Sequence, residues 1–225
     1  MKFVGHLDMM RYFQKCMRRA EIDIAYSAGF SPHQIMSFAA PLGVGITSDG
    51  EYLDIEVNST KSSDKAIKAL NEVMAEGIEI TSYRRLNDTD KKAMSIVAAA
   101  EYEIRMKDGY EVLPVDYEAK AEAFFDQQES IEITKKTKKG EKTIDLKKLI
   151  YDFQISTEEK RPVFYMKVSA GSTENLKPEL VLSAFYRFLD ESFHPLAFQM
   201  HRLDVYGKTE DGLVSLGDMG EELLV

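Results

Sequence analysis

The 225-residue chain contains PVFYMKVSA at residues 162–170, PELVLSAFYRFLDES at 178–192 and QMHRLDVY at 199–206. The outer two segments have the length and composition of strands. The middle segment repeats apolar residues at helical spacing behind an initial proline. The order strand, helix, strand is the second half of the split βαβ unit of ferredoxin-like domains. A first half is therefore expected upstream.

The preceding residues supply this first half. Alternating apolar residues predict a strand over 95–106, and a helix is predicted over 115–128 behind Pro114. Strands at 131–136 and 142–146 flank Lys138–Lys139–Gly140 and predict a lysine-tipped hairpin.

Residues 1–87 repeat the same order without an initial strand. The predicted elements are a helix at 7–20, strands at 34–40 and 51–57, a helix at 64–76 and a strand at 78–84. We therefore predict an α+β fold of two tandem ferredoxin-like units with antiparallel sheets, the first unit lacking its first strand. The predicted limits are 1–87 for the first domain, 88–94 for a linker, 95–207 for the second domain and 208–225 for a loose acidic tail.

Composition narrows the class of protein. No run of 18 apolar residues is present, and the first residues turn polar too early for a secretory signal, so we expect a cytoplasmic protein with no membrane partner. The single cysteine, Cys16, excludes an internal disulfide, a multi-cysteine zinc site and a self-contained iron–sulfur cluster. No phosphate-binding, dinucleotide-binding or acyl-serine motif occurs, and the histidine spacings do not indicate a metal. We expect no cofactor.

Charge is unevenly distributed along this acidic chain. The net charge is −9, yet residues 1–47 carry +2 and residues 135–148 carry +5, so the rest sums to −16. A local anion-binding face is compatible with such a distribution.

The first helix and the loop behind it combine cations with aromatic rings. The helix carries Arg11, Lys15, Arg18 and Arg19, and the loop carries Tyr26, Phe30 and His33. Cations that contact phosphates and rings that stack on bases are the two components of single-stranded RNA recognition. The competing interpretation is a solvated helix face beside aromatic residues that fill the core.

Two further residues are candidates for anion contacts. His6 precedes the first helix, where a neutral imidazole would act as a general base, although a lone histidine more often caps or packs. Lys177 ends the loop 170–179, whose amides would hold an anion, and an ordinary helix cap is the alternative.

Longer stretches resemble a known family. They are HLDMMR (6–11), RRA (18–20), AYSAGFSPH (25–33), SFAAPLG (37–43), EYLD (51–54), MSIV (94–97), AAEY (99–102), GS (171–172) and NLKPE (175–179). These motifs resemble the radical-SAM-linked family of uncharacterised bacterial proteins over residues 1 to about 206. The resemblance implies a radical SAM protein as partner. It also implies an extra first strand and a Lys-x-Gly segment ahead of Phe3, and the given sequence begins at Met1 without them. Either the first strand is absent from this chain or its start has been placed late, and we expect the first sheet to expose an unpaired edge.

A second likeness, of architecture only, is to the repeat-associated RNA-processing proteins of CRISPR systems. Our leading hypothesis is a non-catalytic accessory protein of a radical SAM enzyme that binds or presents RNA. One alternative is a metal-independent endoribonuclease that uses His6. A protein-binding scaffold, whose basic face docks on an acidic partner, is the other.

Overall fold

The computed structural model describes residues 2–87, 91–110, 116–137, 140–159, 161–172, 174–210 and 212–224. Within these residues the fold is α+β with five α-helices. The chain divides into two compact units, one formed by Met1–Val97 and Tyr206–Val225 and the other by Ala98–Val205. From the sequence we placed the domain boundaries at a linker of residues 88–94 and at residue 207. Linker residues 88–90 lie outside the described part. Among the described residues, no helix has the length and apolar character needed to cross a bilayer.

The first unit begins with a helix and short strands. Its elements before residue 97 are α1 (His6–Arg19), β1 (Met36–Phe38), β2 (Thr47–Ser48), β3 (Leu53–Ile55), α2 (Ser63–Asn71), β4 (Arg84–Arg85) and α3 (Ala93–Ile96). Strands β1 and β3 form a two-stranded antiparallel sheet. The core packs α1 and α2 together through the buried side chains of Phe13, Met17 and Leu70.

The second unit has the longer strands. Its elements are β5 (Val97–Met106), α4 (Tyr117–Phe125), β6 (Glu132–Thr137), β7 (Gly140–Asp145), β8 (Ile150–Glu158), β9 (Arg161–Ser169), α5 (Pro178–Phe188) and β10 (Phe198–Thr209). The main sheet has the order β10–β5–β9–β8, and β9 is antiparallel to both of its neighbours. Strands β6 and β7 form the hairpin that we predicted, and its tip, Lys138–Lys139, lies outside the described residues.

A cluster of phenylalanine rings forms the core of the second unit. Phe185 on α5 is 0% exposed, and its ring centroid lies 5.3 Å from Phe124 on α4, 5.5 Å from Phe153 on β8 and 6.1 Å from Phe164 on β9. Because rings from both helices meet rings from two adjacent strands, α4 and α5 cover the same face of the sheet.

Helix α1 ends in a Schellman motif at a residue that is not glycine. The N–H of Ile22 donates to the carbonyl of Met17 (3.0 Å) and the N–H of Glu21 donates to that of Arg18 (3.3 Å). Glu21 adopts φ 55°, the left-handed region that glycine occupies at lower cost.

Replacing Glu21 by glycine should therefore raise the free energy of unfolding by about 0.5–1 kcal/mol, since removal of the strain exceeds the added entropy of the unfolded chain. Urea denaturation measures this change. Glu72 caps α2 with φ −62°, so Glu72→Gly should destabilise the protein. A loss of stability in both variants would contradict the assignment of strain to Glu21.

The structure differs from the sequence predictions at several elements. The expected strand at 78–84 is reduced to Arg84–Arg85, because the side chain of Asn71 takes both backbone hydrogen bonds of Ile80. The helix predicted to reach residue 192 ends at Phe188, where a second Schellman motif forms with Asp190 at φ 59°. Strand β8 was not predicted, because a bulge between Ile150 and Asp152 interrupts its alternation.

The segment after Gly207 also differs from the expected loose tail. It contains β11 (Gly212–Ser215), which pairs with the end of β10, and β12 (Glu221–Glu222), which pairs with β4. Glu221 lies opposite Arg85 and Glu222 lies opposite Arg84. The opposite charges favour this pairing.

Candidate nucleic-acid interface

Helix α1 separates its basic residues from its buried ones. Arg11, Lys15 and Arg18 follow the spacing i, i+4, i+7, which places them within an arc of about 60° on an α-helix. All three are exposed, whereas Phe13 and Met17 are buried on the opposite side. The predicted cationic face is therefore a continuous stripe along α1.

Acidic neighbours neutralise little of this stripe. Arg11 contacts Asp8 at 3.3 Å, and both side chains are largely exposed, so the pair contributes at most about 1 kcal/mol. Within the part of the chain that the structure describes, Lys15, Arg18 and Arg19 make no ion pair. Arg18 and Arg19 also lie in the last turn, where cations complement the helix dipole. Three cations are thus available to an anionic ligand.

The segment behind α1 forms a closed loop, here called the aromatic loop (residues 26–34). Its ends meet in an antiparallel bridge between Tyr26 and Gln34, and the N–H of Ser27 donates to the carbonyl of His33 (2.9 Å). Nδ1 of His33 lies 2.8 Å from Oγ of Ser27, so a side-chain hydrogen bond also links the two ends of the loop. Gly29 turns the tip with φ 109°.

The tip of the aromatic loop exposes its ring completely. Phe30 has 112% of its reference accessible area, and Tyr26 has 52%. Contact of an apolar ring with water is energetically unfavourable, and a fully exposed ring has a free face for stacking. The interpretation that Phe30 fills the core is therefore wrong.

Gln34 attaches the aromatic loop to α1. Its side chain is 5% exposed, and Nε2 donates to the carbonyl of Gln14 on α1 (3.2 Å) and to the hydroxyl of Tyr26 (3.4 Å). On the helix, Gln14 lies between the basic stripe and the buried face, about 40° from Arg18. The structure therefore brings the loop to the flank of the basic stripe.

Two candidates remain, His6 on α1 and Lys177 on the second unit. His6 is the first residue of α1 and is exposed, with its ring edge-on to Phe38 at 5.7 Å. Arg18 lies twelve residues further along, a rise of about 18 Å, so one nucleotide would not contact both. Lys177 is the exposed N-cap residue of α5 in the second unit, and Thr173 in its loop lies outside the described residues.

Comparison with known proteins identifies the family of the chain. A family model described as "Uncharacterized protein conserved in bacteria (DUF2344)" matches residues 1–178. The chain belongs to the DUF2344 family. The matched range of this DUF2344 protein contains every candidate residue from His6 to Lys177. No curated protein matches the chain.

Sequence reasoning missed Gln34 in this DUF2344 protein. The residue lies at the start of the strand predicted for 34–40, and a single glutamine there carries no signal of its own. Its role depends on burial against Gln14, which is 20 residues away in the chain.

Proposed function

We propose that this DUF2344 protein is a non-catalytic accessory protein of a radical SAM enzyme and binds single-stranded RNA. In this proposal the basic stripe of α1 contacts phosphates, and Phe30 and Tyr26 stack on bases. The observation that carries the proposal is the fully exposed Phe30 on a loop attached to α1 by Gln34. Lys177, on the second unit, is a separate candidate for an anion contact.

The geometry suits a single strand better than a duplex. Exposed aromatic rings stack on unpaired bases, and each such contact is worth about 1–3 kcal/mol. Lys15, Arg18 and Arg19 provide charge for the backbone without forming ion pairs within the described residues. Because the whole chain carries −9, binding outside this local face is disfavoured.

The radical SAM partner rests on the resemblance of motifs such as HLDMMR and AYSAGFSPH. A chain whose lone cysteine, Cys16, is buried needs another protein to hold an iron–sulfur cluster. We place both proteins in the cytoplasm. The same proposal includes two tandem ferredoxin-like units, which the order β10–β5–β9–β8 supports for the second unit.

Fluorescence anisotropy of a labelled single-stranded RNA of about 12 nucleotides tests RNA binding. The titration should be run at about 50 mM and about 200 mM salt, with and without the partner enzyme. Three phosphate contacts would give a slope of log affinity against log salt of about −2. No affinity under any of these conditions would overturn the proposal.

Phe30→Ala should weaken RNA binding by about 1–3 kcal/mol, or about 5-fold to 150-fold, because one stacking contact is lost. The melting temperature should not fall, since the Phe30 ring is fully exposed. Tyr151, an exposed aromatic residue on β8, provides the control variant Tyr151→Ala, which should leave affinity unchanged. Equal affinities of wild type and Phe30→Ala would show that Phe30 does not stack on a base of the RNA.

The endoribonuclease alternative is favoured by one observation, the exposed imidazole of His6 at the first turn of α1. We expect that incubation with small RNAs yields no 2′,3′-cyclic ends in either wild type or His6→Ala. Cyclic ends that form with wild type and disappear in His6→Ala would establish the enzyme and contradict a non-catalytic role.

A further inference from the structure

The tip of the aromatic loop projects Phe30 into open space. Gly29 turns the chain there with φ 109°. Among the described residues, no atom beyond its chain neighbours lies within 4 Å of the point that a Cβ of Gly29 would occupy. Phe30 beside it has 112% of its reference accessible area, so both faces of its ring are accessible. A ring with two free faces has room for a base on each side.

Hydrogen bonds fix the backbone below this tip. The N–H of His33 donates to Oγ of Ser27 (3.1 Å), and the N–H of Ser27 donates to the carbonyl of His33 (2.9 Å). One step further from the tip, the N–H of Ile35 donates to the carbonyl of Ala25 (2.9 Å). The buried amide of Gln34 then joins this end of the loop to α1. The tip therefore stands on a base of defined conformation.

The chemistry of the side chain at the tip is that of a wedge. Phe30 has no hydroxyl or N–H group that would favour contact with water. Proteins that separate stacked bases insert apolar side chains such as phenylalanine, leucine, isoleucine and methionine between two neighbouring bases. Separation of the two bases costs free energy. Stacking of the inserted ring on the bases at both of its faces offsets this cost.

We propose that Phe30 inserts between two neighbouring unpaired bases of an RNA strand and unstacks them. The inference rests on the proposed RNA binding and defines the substrate further, as an RNA loop whose unpaired bases are stacked on one another. In this arrangement Lys15 and Arg18 on α1 hold phosphates of the same strand. A base that is released from its stack becomes accessible to a partner enzyme.

The probe is a hairpin RNA that carries 2-aminopurine in a purine-rich loop, because stacking quenches the fluorescence of this base. The reporter is moved through the loop one position at a time, and each RNA is titrated with the full chain. Fluorescence should rise at two adjacent positions, since one ring separates one pair of bases. Binding by anisotropy without a rise at any position would overturn insertion and leave RNA binding intact. Absence of binding would overturn both.

Substitutions at Phe30 distinguish insertion from stacking on a single base. Phe30→Leu keeps an apolar wedge and should retain most of the fluorescence rise at saturating protein, whereas Phe30→Ala should lose it. If Phe30 only covered the outer face of a base, leucine would perform no better than alanine. An unchanged rise in Phe30→Ala, or an equal loss in the two variants, would contradict insertion.

A second exposed phenylalanine of the same unit provides the matched control. Phe3 is 76% exposed and lies outside the aromatic loop. Phe3→Ala should therefore leave both the fluorescence rise and the affinity for the hairpin RNA as in wild type. An equal decrease of the rise in Phe3→Ala and Phe30→Ala would show that the opening of the stack does not depend on the tip of the loop.

Discussion

The double substitution Lys15→Glu/Arg18→Glu is expected to weaken binding of single-stranded RNA by about 100-fold, which corresponds to about 2.7 kcal/mol. Each reversal removes a phosphate contact and adds a repulsive charge at a similar distance. The slope of log affinity against log salt should also become shallower by about 0.7 for each lost contact. Anisotropy titrations at several salt concentrations measure both quantities.

The same substitution should leave folding intact. Both side chains are exposed, and neither forms an ion pair within the described residues. Lys65→Glu/Lys68→Glu makes the same change of net charge on exposed residues of α2. This control should lose little affinity. An equal loss in the two double variants would show that net charge, rather than the stripe on α1, governs RNA binding.

Phe185→Ala is expected to lower the free energy of unfolding by about 3–5 kcal/mol, because a fully buried ring is deleted from the core of the second unit. Phe124, Phe153 and Phe164 all have ring centroids within 6.1 Å of the Phe185 ring, so all three would border the resulting cavity. Urea denaturation followed by circular dichroism measures the loss.

Phe188 provides the comparison, since it lies on the same helix but is partly exposed and contacts Phe124 alone among the described rings. Phe188→Ala should cost clearly less than Phe185→Ala. A loss below about 1 kcal/mol for Phe185→Ala would mean that this ring cluster is not the core of the second unit.

The sequence predicted elements whose side chains repeat regularly. Helices α1 and α5 were predicted because their apolar residues recur at helical spacing. The end of α1 was predicted to within one residue. The end of α5 was not, since Asp190 adopts the left-handed conformation that glycine usually signals. Strand β8 was not predicted, because the bulge at Ile150 and Asp152 interrupts the alternation of its apolar and polar residues.

The candidate site was predictable only in part. Helical spacing was enough to align Arg11, Lys15 and Arg18 on one face. The exposure of Phe30 was not predictable, because a phenylalanine in a loop is compatible with either the core or the surface. The contact of Gln34 with Gln14 depends on the folded chain, and no local pattern encodes it.

Ultraviolet crosslinking of the full chain to single-stranded RNA, followed by mass spectrometry of the crosslinked peptides, tests the RNA interface most directly. Crosslinks should fall on Tyr26 and Phe30 in the aromatic loop, with further contacts along Lys15, Arg18 and Arg19. They should decrease in Lys15→Glu/Arg18→Glu. Crosslinks confined to residues outside α1 and the aromatic loop, or none from a bound complex, would contradict RNA recognition at this site.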